Sequence, residues 1–111
     1  QGAHLNGKSI HVSTSSHLGE AMVCVGLPAV PEQFPRSTST LKRMSEKTRS
    51  IRRMGSAALS LAYVGAGRMD AFSAHVIQPW DVAAGVVIVN EAGGRTTNLH
   101  HDRYDLYNPD I

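Results

Sequence analysis

Two stretches of this chain read as helices with no side left for water. Ala57 to Val64 is apolar or small at every position, and Val82 to Val89 has no polar face before Asn90. A helix that is hydrophobic all round is buried all round, so each of the two needs partners on every side. Covering both requires layers above and below them, as in αβα stacking. A chain of 111 residues supplies little more than one such stack. A mixed α/β layered sandwich is therefore expected. Part of the folded unit is expected to lie on another chain or on a preceding segment.

The remaining elements follow from turn and capping signals. Gly55-Ser56 opens the first apolar helix, with Ser56 as the N-cap and Gly65 and Gly67 as the stop. Pro79-Trp80-Asp81 leads into the second, Val82 to Glu91, which Gly93-Gly94 ends. Asn6-Gly7 lies in an alternating stretch and predicts a hairpin with strands near 2–5 and 8–13. Glu20 to Val25 reads as a buried strand, followed by a proline-rich loop over 28–36. Leu41, Met44, Thr48 and Ile51 fall on one stripe and predict a helix from Ser37 to Met54. Strands are expected at Ala71–Ile77 and Arg95–Leu99, with a polar tail turning at Asn108-Pro109.

The totals exclude more than they assign. A net charge of +2 does not compel a nucleic-acid or membrane partner. The single cysteine, Cys24, forms no internal disulfide and fits a reducing compartment as an inert core thiol. No apolar run reaches the ~20 residues of a membrane span, and no charged-then-apolar leader opens the chain, so a soluble cytoplasmic protein is expected. The helix expected over 37–54 carries Lys42, Arg43, Lys47, Arg49, Arg52 and Arg53 against Glu46 alone. That face is either solvated or a cationic patch, and no aromatic residues interleave with it to stack bases.

Two helix starts carry the chemistry. Asp81 is open to two compatible readings: an N-cap accepting backbone N–H bonds, or a hard oxygen ligand for Mg²⁺ held by those bonds and by Trp80. Gly55, Ser56 and Ala57 put free N–H groups behind small side chains, where an anionic oxygen can approach the backbone; a tightly packed helix start is the plainer reading. His100-His101 reads as a surface pair, because adjacent side chains on a strand point apart. Ser56 has no His-plus-acid partner, which argues against a nucleophilic serine.

The segments Arg53 to Val64, Gly67 to Phe72, Trp80-Asp81-Val82-Ala83-Ala84-Gly85 and Asn90 to Gly94 together resemble the C-terminal half of the inositol monophosphatase family, and Gly2 to Lys8 resembles that family's mid-chain hairpin. The resemblance implies that residues 1–111 form the C-terminal portion of a layered αβαβα sugar-phosphatase-like fold. It implies Mg²⁺-dependent hydrolysis of a small-molecule phosphate monoester, with Asp81 as metal ligand and Gly55, Ser56 and Ala57 lining the substrate pocket. It also implies a homodimer. The family's Asp-rich first motif is absent from this chain, so residues 1–111 alone are expected to be inactive. Ala74 stands where inositol-specific members carry a Glu, which leaves other sugar and small-molecule phosphates open as substrates. The competing expectations are a non-catalytic scaffold and a binding module that uses the basic helix 37–54.

Overall fold

The computed structural model describes residues 1–100, 102–108, 110 and 111. The hairpin forms first: β1 (Ala3–Leu5) pairs antiparallel with β2 (Lys8–Ile10). Asn6 and Gly7 sit at φ 51° and 78°, the pair of positive values that matches the twist of the flanking strands. The hairpin docks on the far end of a later helix, where the Val12 amide donates to the Ala92 carbonyl at 3.1 Å.

A three-stranded parallel sheet follows, β3 (Met22–Gly26), β4 (Ser50–Arg52) and β5 (Ala71–Ala74), in the order β4-β3-β5. Helix α1 (Phe34–Lys47) connects β3 to β4, and α2 (Ala57–Gly65) connects β4 to β5. The chain thus steps one way from β3 to β4 and the opposite way from β4 to β5. Parallel crossovers keep a right hand, so the two helices must fall on opposite faces of the sheet. Burial agrees with that requirement. Val23 and Val25 of β3 form a cluster with Leu41 and Met44 of α1. The intervening Cys24, wholly buried, belongs instead to the cluster of Leu61, Val64, Val82 and Val89 on α2 and α3 (Pro79–Glu91). The result is the expected αβα sandwich, with a central strand apolar on both faces, as parallel sheets require.

Within the second helical layer α2 and α3 lie side by side at unusually short range. A Cβ built on Gly85 would stand 2.5 Å from Leu61 Cβ, and one on Gly65 would stand 2.7 Å from Ile88 Cγ2. The paired positions, 61 with 85 and 65 with 88, advance together along both helices. The helices are therefore parallel, and their N-termini point to the same end of the sheet. Their outer surface is not covered: Leu59, Val87 and Trp80 are 43%, 60% and 78% exposed.

Several expectations are corrected. The helix read as Ser37–Met54 starts at Phe34, with Pro35 in its first turn, and ends at Lys47. Residues 50–52 form β4 instead, and Ile51 reaches the same core cluster as Leu41 and Met44 from a strand. The loop read over 28–36 gives way to a 3₁₀ turn at Pro31–Gln33 and the start of α1. The strand expected at Glu20 begins only at Met22, after a 3₁₀ turn over Leu18–Glu20. β5 ends at Ala74 rather than Ile77, and Arg95–Leu99 makes only an isolated bridge between Thr97 and Arg103. The His100-His101 pair and the turn at Asn108-Pro109 fall on His101 and Pro109, outside the described residues.

Candidate functional site

In open parallel sheets ligands bind beyond the carboxyl ends of the strands, at the point where the strand order reverses. Here the reversal occurs at β3, and a cavity of about 370 Å³ lies beyond it. Gly26 and Leu27 from the end of β3, Arg53 after β4 and Ile77 after β5 line it. The starts of both apolar helices complete it: Gly55, Ser56, Ala57 and Ala58 from α2, and Trp80 and Asp81 from α3. All four residues singled out from sequence therefore share one cavity wall.

The sequence builds each half of this wall locally. Gly55 takes φ 74°, a left-handed turn that brings the chain off β4 into α2. Ser56 is the N-cap as expected, its Oγ accepting from the Leu59 amide at 3.2 Å. The Ser60 amide is used by the Ser56 carbonyl at 3.0 Å. First-turn amides have no intrahelical acceptor, which leaves those of Ala57 and Ala58 to water or a ligand at the cavity wall. Behind them the Ser60 hydroxyl, buried, donates to the Ser56 carbonyl at 2.7 Å and lies 3.1 Å from Cys24 Sγ, fixing α2 to β3.

Asp81 occupies a different place from the one read from sequence. Helix α3 begins at Pro79, with Gln78 as N-cap and no side-chain cap bond. Proline is well suited to a first helical position because it lacks an N–H that would go unused there. Asp81 is therefore inside the first turn rather than before it, its amide donating to the Gln78 carbonyl at 3.0 Å. The carboxylate is exposed and caps nothing. Trp80, expected to hold it, turns to solvent. What aims Asp81 is the helix itself: a carboxylate in the first turn is favoured by the partial positive charge there. Because α2 and α3 are parallel, both positive ends face the same cavity.

A second recess of about 350 Å³ shares Gly26, Leu27, Ile77 and Asp81 with the first and extends to Ala74, His75 and Gln78. Ala74 is 2% exposed, at the end of β5.

Sequence reading missed Arg53, which it placed on a basic helix. The end of β4 delivers it to the cavity, while Lys42, Arg43 and Lys47 remain on α1. The continuous basic helix 37–54 does not exist, so the cationic surface is divided between α1 and the carboxyl end of the sheet. The ends of β3 and β5 were also missed, because only the parallel pairing brings them together.

The donor set bears directly on metal binding. Among the described residues no group of three or more His, Cys, Asp or Glu could hold a metal ion. Among the described residues, no side chain or backbone group donates to the exposed Asp81 carboxylate. Mg²⁺ commonly binds one or two carboxylates plus waters and substrate phosphate oxygens. Asp81 fits one ligand of such an ion; the rest must come from elsewhere.

A model of the inositol monophosphatase family matches residues 1–111. The chain is 48% identical over 98 residues to the fructose-1,6-bisphosphatase/inositol-1-monophosphatase of Thermotoga maritima, covering 88% of this chain and 36% of that protein. It is 38% identical over 108 residues to the inositol-1-monophosphatase of Caulobacter vibrioides, covering 96% of this chain and 42% of the other. The extragenic suppressor protein suhB from Bartonella henselae superposes with a TM-score of 0.92 at 35% identity, over 99% of this chain and 42% of that one. The chain thus spans between 36% and 42% of the length of these relatives.

Proposed function

This chain belongs to the inositol monophosphatase family, and from that membership we propose that it is the C-terminal portion of a cytoplasmic, Mg²⁺-dependent phosphatase acting on an inositol phosphate or a related sugar or small-molecule phosphate. The observation that carries this reading is the convergence of two parallel helix starts on one cavity at the reversal point of the sheet. One start offers free amides and the other a free carboxylate.

In this reading the Ala57 and Ala58 amides donate to phosphate oxygens, while Gly55, Ser56 and Ala57 hold the substrate against the wall. Small side chains matter there because a larger one would keep the phosphate from the backbone. Arg53 adds a positive charge at the rim. Asp81 holds Mg²⁺, whose contribution when bound is Lewis-acid polarisation of the phosphoryl group and screening of the leaving oxygen. The neighbouring recess receives the alcohol portion. With Ala74 at its back in place of a carboxylate, that recess does not select inositol by its hydroxyls.

The remaining ligands come from the portion of the enzyme outside residues 1–111, which packs on the exposed apolar surface of α2 and α3. Support comes from that surface and from the longer relatives. A homodimer accompanies this arrangement. Asp81→Asn in the complete enzyme is expected to lower phosphate release on the order of 100-fold or more, since even groups one shell removed from a metal cost 10–100-fold. A full-rate variant would remove Asp81 from the site. Residues 1–111 alone are expected to release no phosphate, and Mg²⁺-dependent turnover by them would overturn the division of ligands.

A further inference from the structure

The segment between β5 and α3 carries a conformation its sequence does not favour. Val76 sits at φ 54°. A β-branched residue at positive φ is a genuine outlier, and such residues persist only where the surroundings over-determine them. Five residues later the chain presents Asp81. Whatever holds Val76 left-handed therefore sets where α3 begins.

Those surroundings come from two distant parts of the chain. Asp110, 7% exposed, accepts from the Val76 amide through Oδ1 at 3.1 Å. Its other oxygen, Oδ2, pairs with Arg36 Nη2 of α1 at 2.6 Å. Ile111 exchanges backbone bonds with Ala74, donating at 3.0 Å and accepting at 2.7 Å. Its carbonyl also accepts from Ser73 Oγ at 3.2 Å. His75, buried, lies between Thr40 Oγ1 at 2.8 Å and Asp110 Oδ1 at 3.6 Å. The turn is thus clasped from α1 on one side and from residues 110–111 on the other.

We propose that Asp110, anchored by Arg36, is a positioning residue that enforces the left-handed turn at Val76 and thereby places Asp81 at the mouth of the cavity. The inference rests on the reading of Asp81 as a Mg²⁺ ligand. Asp110 touches neither cavity and acts only through the backbone of the turn. Its loss lets Val76 relax to negative φ, which shifts the first turn of α3. Glycine at 76 adopts the left-handed conformation without penalty and removes the need for the clasp.

The test uses the complete enzyme, with Mg²⁺ affinity measured by titration calorimetry beside kcat and KM. Asp110→Ala is expected to weaken Mg²⁺ binding ~10-fold or more and to lower kcat with little change in KM. Asp110→Asn keeps the acceptor for the Val76 amide and is expected to lose far less Mg²⁺ affinity than the ~10-fold that follows when a ligand's support is removed. The decisive variant is Asp110→Ala with Val76→Gly, which is expected to recover parental Mg²⁺ affinity even if Asp110→Ala alone folds poorly. Unchanged Mg²⁺ affinity in Asp110→Ala, or a folded double variant that stays weak, overturns the positioning role. Asp81→Asn separates the two readings. If it binds Mg²⁺ as the parent does, the ligand assignment falls and the inference with it. If it loses Mg²⁺ while Asp110→Ala does not, only the positioning role falls.

Discussion

Gly85→Ala tests the contact on which the site's geometry depends. The new Cβ would stand 2.5 Å from both Leu61 Cβ and Leu61 Cδ1, and 3.1 Å from Cγ. Carbon atoms in contact prefer roughly 3.5–4.0 Å, so the helices must separate by about 1 Å. Rotating Leu61 relieves only the Cγ and Cδ1 overlaps, because Cβ is fixed to the α2 backbone. Overpacking of this kind costs about 1–3 kcal/mol, and a backbone-fixed clash belongs at the upper end. Alanine recovers about 1 kcal/mol of helix propensity over glycine. The expected net loss is about 2 kcal/mol, read as a lower urea midpoint at unchanged slope. In the complete enzyme proposed above, phosphate release is expected to fall as well, since separating α2 from α3 moves Ser56 away from Asp81. Leu61→Ala combined with Gly85→Ala should cost less than the two changes added, by about 1 kcal/mol, because two of the three overlaps vanish. A Gly85→Ala protein as stable as the parent, or strict additivity with Leu61→Ala, would refute the close parallel packing inferred here.

Other perturbations test neighbouring parts of the structure. Asp70 accepts from Ser13 Oγ and from the Met22 amide, each at 2.6 Å, and these bonds hold its carboxyl below the usual carboxylate range. Asp70→Asn should therefore cost about 1–2 kcal/mol at neutral pH, in the lower part of the range for bonds to charged groups because the site is partly open. That contribution is present above pH 3.8 and lost as pH falls through the lowered folded-state value, so stability followed by chemical denaturation across that window should depend less steeply on pH in the variant. Burial pushes His75 below 6.5, with Arg36 adding to that and Asp110 opposing it. The unfolded chain then takes up a proton first as pH drops below 6.5, so stability declines from there downward; His75→Gln should flatten the slope, and an unchanged slope would contradict a neutral buried imidazole. Ser56→Ala should cost about 1 kcal/mol through loss of the α2 cap, and Ser56→Gly only a few tenths; no loss in the alanine variant would rule out the cap bond.

How much of this was legible follows from how far each signal reaches along the chain. The hairpin turn, the cap at Ser56 and the two all-apolar helices depend on residues within one turn of one another, and each was read correctly in kind. The start of α3 was legible too, in Pro79; the preference for an acidic cap pushed it three residues too late. The strand β4 was not legible. Thr48 and Ile51 continue the stripe of Leu41 and Met44, and nothing local separates that stripe from a longer helix. Only pairing with β3 makes residues 50–52 a strand, because its hydrogen-bond partners lie far away in sequence.

The sequence by itself pointed to the αβα layering through two helices without polar faces, although they share one layer and keep an open outer surface rather than being buried all round, and it marked Ser56 and Asp81 as helix starts. The tertiary structure alone decided that those starts meet. The reversal of strand order at β3 and the close parallel packing through Gly65 and Gly85 bring Arg53, the α2 amides and Asp81 to one cavity. The clasp of Asp110 on Val76 is equally invisible in sequence. Patterns of period two or 3.6 record which face of an element is buried, but not which distant element covers it.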